Sequence, residues 1–123
     1  MPAPIVVWNE IPVSDLEASV KFYNAVFGWD MTINTQGPNP MADFGGRQDV
    51  SGGHLYPGTP ANENGPTVHI GVQGPLEDAV DRCWTAGGTV IGQPIALPSG
   101  RFIYAKDIDG NSIGLFEPAM AAS

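Results

Sequence analysis

Two residues in apolar, β-branched surroundings are placed to do chemistry. Glu10 sits among Val6, Val7, Ile11 and Val13, and His69 lies in the run from Thr67 to Val72. A carboxylate in such a strand is costly unless it is paired or faces a cavity. Glu10 therefore reads as a pocket acid or base, or as the structural partner of a backbone amide or a basic group. His69 reads as a general base or ligand, or as a satisfied strand residue. His54 follows Gly53 and precedes Tyr56 by two residues. Glu10, His54 and His69 form a two-His-one-carboxylate set that suits Zn, Ni, Fe or Mn, provided a small bulge turns His54 inward. Trp8 shares a strand face with Glu10, and it can stack on a ligand or simply fill space. Thr67 shares a face with His69 in the same way. Arg101, in PSGRF, can grip an anionic group or stand in solvent. Cys83 is the only cysteine; it falls on a helix face near Asp81, which disfavours a thiolate. Gly45-Gly46 and Gly52-Gly53 lack the strand-to-helix setting of a phosphate loop.

These residues are positioned by short elements. Ile5 to Val13 reads as a strand, and Ser14-Asp15 offers an N-cap. Leu16, Val20, Tyr23 and Phe27 then mark one helix face, and Gly28 suits its end. Trp29 to Thr35, Met41 to Gly45 and Val50 to Tyr56 are the next expected strands. Pro57 to Pro66 is polar and turn-rich, and reads as a linker. Thr67 to Val72 opens a second series. Pro75 sits in a first helical turn, Leu76, Ala79, Val80 and Cys83 give the apolar face, and Gly87-Gly88 ends the helix. Thr89 to Leu97, Phe102 to Lys106 and Ser112 to Glu117 follow as strands, with Asp109-Gly110 as a hairpin turn.

The two series repeat each other. Ile11 to Gly28 has the layout of Ile70 to Gly88, and GGHLYP (Gly52 to Pro57) overlies IGLFEP (Ile113 to Pro118). A period of about 60 residues seen twice is a duplicated supersecondary unit, not a solenoid. The expectation is an α+β domain of two β-α-β-β-β modules, about residues 4–56 and 67–118, with a frayed tail at 119–123.

The chain has 123 residues, 42% apolar and 15% charged, with a net charge of −8. That is one globular domain. It has no basic patch for a nucleic-acid backbone and no run of 18 apolar residues to span a membrane. The acidic balance favours a neutral or cationic small ligand over a polyanion. With no leader-like start, a cytoplasmic location is expected.

EIPVSDLEASVKFYNAVFGW, HIGV before a helix ending AGG, and KDIDGNSIGLFEP resemble, in order and spacing, the vicinal oxygen chelate superfamily. This group includes glyoxalases, bleomycin-resistance proteins and ring-cleaving dioxygenases. The resemblance implies that each module curls into a half-barrel, and that two modules enclose a cup within one chain or across a dimer. It also implies a divalent ion in the metal-dependent members, held by the first and last strands of each module. Carried onto this chain, those four positions fall on Trp8, Thr67, Gly114 and, through the internal overlay, Gly53. Trp and Gly offer no donor to a hard cation, so no metal and no other cofactor is expected. The resemblance then implies metal-independent binding of a small molecule, lined by Trp8, Glu10, His54, Thr67, His69 and Arg101. The alternative is a lyase or isomerase on a small oxygenated metabolite, with Glu10 or His69 as general base and a divalent metal shifted onto Glu10, His54 and His69. A homodimer is expected from the same resemblance, with Phe27 and Trp29 as exposed contributors.

Overall fold

The computed structural model describes residues 8–46, 52–62 and 64–119. The start of the expected strand Ile5–Val13, the start of Val50–Tyr56 and the tail beyond Ala119 lie outside those residues. The elements are β1 (Asn9–Val13), α1 (Leu16–Phe27), β2 (Ala42–Asp43), a 3-10 turn (Phe44–Gly46), β3 (Gly53–Pro57), β4 (Val68–Gly71), α2 (Leu76–Thr85), β5 (Thr89–Leu97), β6 (Gly100–Lys106) and β7 (Ser112–Pro118). They form two open sheets, ordered β1-β3-β2 and β4-β7-β6-β5. In each module the first strand pairs in parallel with the last.

The helix ends follow from local chemistry. The Asp15 carboxylate accepts the Ala18 N–H at 3.1 Å and caps α1. Gly28 ends it in the left-handed region, with φ of 70°. Pro75, expected in the first turn of α2, stands just before it as the N-cap, with extended backbone and no side-chain cap. The Glu117 carboxylate of β7 supplies one instead, accepting the Leu76 N–H at 2.7 Å.

One face of each sheet meets a helix. Ile11, Val13 and Leu55 of the first sheet, and Ile70, Ile103, Ala105, Ile113 and Leu115 of the second, join α1 and α2 residues in a single core. The strand period sends the intervening residues to the other, open face. In the first module the core includes a ladder of flat rings: Trp29 lies 5.0 Å from Phe27 and 5.5 Å from Phe44. Phe27 is fully buried, so it cannot be the exposed dimer contributor the sequence suggested. Trp29 is half-buried in the same stack.

The strand expected at Trp29 to Thr35 is reduced to one bridge, Asn34 with Met41. Asn24 of α1 explains this. Its side chain binds both the N–H and the C=O of Met31, at 2.8 and 3.3 Å, tying that stretch to the helix instead of to a neighbouring strand. Among the described residues, no helix is long and apolar enough to cross a membrane.

The modules are joined by the turn 107–111. Asp107 is buried and accepts from Tyr23 Oη (2.7 Å), from the N–H groups of Asp109 and Asn111 (2.9 Å each) and from Asn111 Nδ2 (3.0 Å). Asn111 Nδ2 also donates to the Pro12 carbonyl at 2.9 Å. Asp109 accepts from the backbone and hydroxyl of Ser14. Burial, then the Asp107 charge, hold the Tyr23 phenol well above its usual pKa.

Candidate functional site

Strand register builds the site. Glu10 is paired with His54, and His69 with Gly114. Ile11 with Leu55, and Ile70 with Leu115, are the buried pairs one step along. His54 is therefore the counterpart of Gly114. The overlay of GGHLYP on IGLFEP had aligned Gly53 there, one residue out of register. No bulge is needed to turn His54 to the open face.

On the first sheet, three side chains form a row. The indole N–H of Trp8 donates to His54 Nδ1 at 2.9 Å, and His54 Nε2 lies 3.2 Å from Glu10 Oε1. An indole nitrogen can only donate, so Nδ1 must accept. The neutral ring then carries its proton on Nε2 and donates it to Glu10. Trp8 is 38% exposed and the Glu10 side chain 65% exposed, whereas His54 is buried. His54 thus has no free nitrogen, while Glu10 keeps one oxygen for solvent or a ligand.

The second sheet carries rings instead. His69 meets Phe102 edge-on at 4.8 Å and Tyr104 at 5.8 Å, and Phe102 meets Tyr104 edge-on at 5.2 Å. The His69 ring lies directly over Gly114: a Cβ there would fall 2.0 Å from His69 Nδ1. Register extends this face through Phe116, opposite Phe102, and through Ile91 and Ile95, opposite Tyr104 and Phe102. Tyr104, Ile91 and Ile95 are each at least 40% exposed.

The structure therefore brings Glu10 and His54 together and leaves His69 in a different set of contacts. No group of three His, Cys, Asp or Glu side chains able to hold a metal occurs among the described residues. The four positions implied by the superfamily are Trp8, His54, Thr67 and Gly114 in the observed register. His54 has both nitrogens engaged, and the Thr67 hydroxyl shares a 2.5 Å hydrogen bond with Ser112. Trp and Gly contribute no donor, so this set does not fit a divalent ion.

Arg101 lies in β6, not in a loop. It makes a bidentate pair with Glu77 at 2.7 Å and reaches Glu117 at 3.0 and 3.1 Å. Its donors are spent on joining β6, β7 and the start of α2. Hydrogen bonds from Arg101 lower the Glu77 carboxyl to about 2 and also lower that of Glu117. Burial raises the Cys83 thiol to about 11, which agrees with an inert thiol. Sequence reasoning missed Phe102, Tyr104 and Asp43 as residues of the open faces. The alternation of Phe102, Tyr104 and Lys106 about buried Ile103 and Ala105 was the available signal.

Residues 6–46 match the family model described as bleomycin resistance protein-like N-terminal. No curated protein matches the sequence. Among solved structures, the chain is similar to a glyoxalase/bleomycin resistance protein from Albidiferax ferrireducens (22% identity, TM-score 0.67, covering 91% of this chain and 97% of that one). It is also similar to a glyoxalase/bleomycin resistance protein/dioxygenase family enzyme from Burkholderia phytofirmans (15%, 0.68, 93% and 98%). A third similar structure is an antibiotic binding protein from a Streptomyces species (25%, 0.63, 97% and 98%). The fold is that of the glyoxalase/bleomycin-resistance group. These structures show the fold, and the family model adds a match over the first third of the chain.

Proposed function

We propose that the protein binds a small molecule against the open faces of its two modules, without a resident metal ion. An aromatic part of the ligand lies on the rings of the second sheet, and a polar part faces the Trp8–His54–Glu10 row. One observation carries this reading. At the Gly114 position the missing side chain makes room for the His69 ring, which packs on buried Phe102 and forms an exposed ring surface with Tyr104. Such surfaces hold planar ligands by stacking, and Trp8 can add a cation–π contact. The likeness to an antibiotic binding protein over nearly the whole of both chains supports the same class of activity.

The two faces meet in one cup within a chain or across a homodimer. A homodimer is supported by Ile91, Ile95 and Leu97, which leave an exposed apolar row on the edge strand β5. A cytoplasmic location accords with the lone buried cysteine. The catalytic alternative would make Glu10 the base, because both nitrogens of His54 are engaged. No placed electrophile accompanies Glu10 among the described residues, and binding is the better-supported reading.

The test is a thermal-shift screen of cationic, neutral and anionic aromatic compounds, repeated after chelation with EDTA. Stabilisation by neutral or cationic rings, unchanged by EDTA and weakened in His69→Ala and Tyr104→Ala, is expected. Stabilisation only by anionic chelators, and its disappearance with EDTA, would sink the proposal.

A further inference from the structure

The open face of the first sheet holds a polar group that the Trp8–His54–Glu10 row does not use. Asp43 of β2 is paired in register with His54, so it stands on the same face. Glu10, His54 and Asp43 form a line across three strands, and the strand spacing puts the two carboxylates roughly 10 Å apart. Their surroundings differ. Glu10 is largely exposed and receives the His54 N–H. Asp43 Oδ1 is buried and has no hydrogen-bond partner, the only such side-chain atom among the described residues.

A buried carboxylate oxygen without a donor is costly, and in a native fold it calls for a reason. The surroundings of Asp43 supply one. It lines a pocket of about 420 Å³ with Thr32, Ile33, Asn34, Thr35, Gln36 and Gly46. Among the described residues of that lining Asp43 alone is charged, so no described lysine or arginine there neutralises the carboxylate. Asn34 Oδ1 accepts the Gln36 N–H at 2.9 Å and keeps a second lone pair, and the Thr32 and Thr35 hydroxyls can also accept from the N–H groups of a guest. With a net charge of −8, the protein also raises the local concentration of cations.

We infer that this pocket is a subsite for a protonated amine carried by the ligand, with Asp43 as its counter-ion. The inference rests on the small-molecule reading above and names the ligand class: an aromatic compound bearing an ammonium group. Asp43, not Glu10, is the anchor, because Glu10 already has a donor and stands in solvent, where an ion pair is worth little.

The experiment compares tryptamine with tryptophol, which share an indole ring and differ in carrying an ammonium or a hydroxyl. Isothermal titration of the full chain is done for the wild type, Asp43→Asn and Glu10→Gln. Tryptamine should bind about tenfold more tightly than tryptophol to the wild type, the usual scale of a charge-assisted hydrogen bond. Asp43→Asn should remove that preference and leave tryptophol affinity unchanged, while Glu10→Gln should keep most of it. A preference that survives Asp43→Asn, or that vanishes in Glu10→Gln alone, overturns the inference. So does a wild type that binds both compounds equally, although the small-molecule reading then stands. A wild type that binds neither overturns both. A thermal melt covers the remaining case: Asp43→Asn should melt no lower than wild type, and a large drop would make the carboxylate structural and refute the subsite.

Discussion

The two open faces use the same register for opposite purposes. In both modules the first strand pairs in parallel with the last, and the buried pairs correspond: Ile11 with Leu55, Ile70 with Leu115. One residue away, on the side no helix covers, the modules part. The first places a histidine opposite a glutamate and ties them to a tryptophan by hydrogen bonds. The second places a glycine opposite a histidine, so the ring lies over the strand and contacts two further rings. Core faces must fill a shared volume at high density, so they resemble one another. Open faces carry no such demand, and there the sequence is free to build a polar row on one side and a ring surface on the other.

The comparison holds only while both modules share one core, and Asp107 is where that is easiest to break. It is buried and satisfies four donors, one of them on α1. Asp107→Ala leaves the Tyr23 hydroxyl and two backbone N–H groups without their partner, and should cost on the order of 3 kcal/mol. Urea denaturation measures it as a lowered midpoint. Asp109→Ala should cost less, since its contacts to Ser14 are exposed. Equal losses would mean that the seam depends on the whole turn and not on the buried carboxylate.

A smaller effect isolates the ring surface. In Gly114→Ala the new methyl occupies the place of the His69 ring. His69 is exposed and has room to swing away, so the loss should be about 1–2 kcal/mol. It should be accompanied by a changed near-ultraviolet signal from Tyr104. His69→Ala combined with Gly114→Ala should be no worse than Gly114→Ala alone, a non-additivity that a double-mutant cycle reads. Additive losses would show that the glycine serves the backbone and not the ring.

On the polar face the expected change is smaller still, about 1 kcal/mol. Trp8→Phe keeps a ring but removes the N–H that His54 Nδ1 accepts. Imidazole nitrogen NMR should show the wild-type ring protonated at Nε2 when neutral, and a mixture of tautomers in the variant. A wild type already mixed would mean that the indole does not fix the ring.

Much of this was legible in the sequence. The duplication, both helices with their ends at Gly28 and Gly87-Gly88, and the long strand β5 all follow from periodicity and punctuation. Three things were not. The strand after α1 was lost because the Asn24 side chain binds Met31, a contact that spacing does not signal. His54 was misaligned because the overlay matched glycine to glycine, whereas the strand alternation, with Leu55 facing the core beside Ile11, is what sets the face. Arg101 looked available because its two partners, Glu77 and Glu117, come from elements brought beside it only by the fold.

That Arg101 clamp gives the smallest effect and the one most tied to pH. It lies wholly on the second module, so it tests whether the ring surface depends on the β6–β7–α2 junction. Hydrogen bonds from Arg101 lower the Glu77 carboxyl to about 2 and lower Glu117 as well. In the unfolded chain both return to about 4.3. A folded-state pKa below the unfolded one stabilises the fold at pH values above the unfolded pKa. That contribution fades as pH falls from about 4.3 toward 2, because the folded form then binds the protons last. The pairs are solvent-facing, so the change is modest and weakens with salt. Thermal melts between pH 6 and pH 2.5 should therefore show a shallower decline in Arg101→Met than in wild type, with the two curves converging at the acid end. Because Glu117 also caps α2 through the Leu76 N–H, Glu117→Gln should lower the melting temperature more than Glu77→Gln. The reverse order would show that the Glu77 pair alone makes the junction and that the cap contributes nothing.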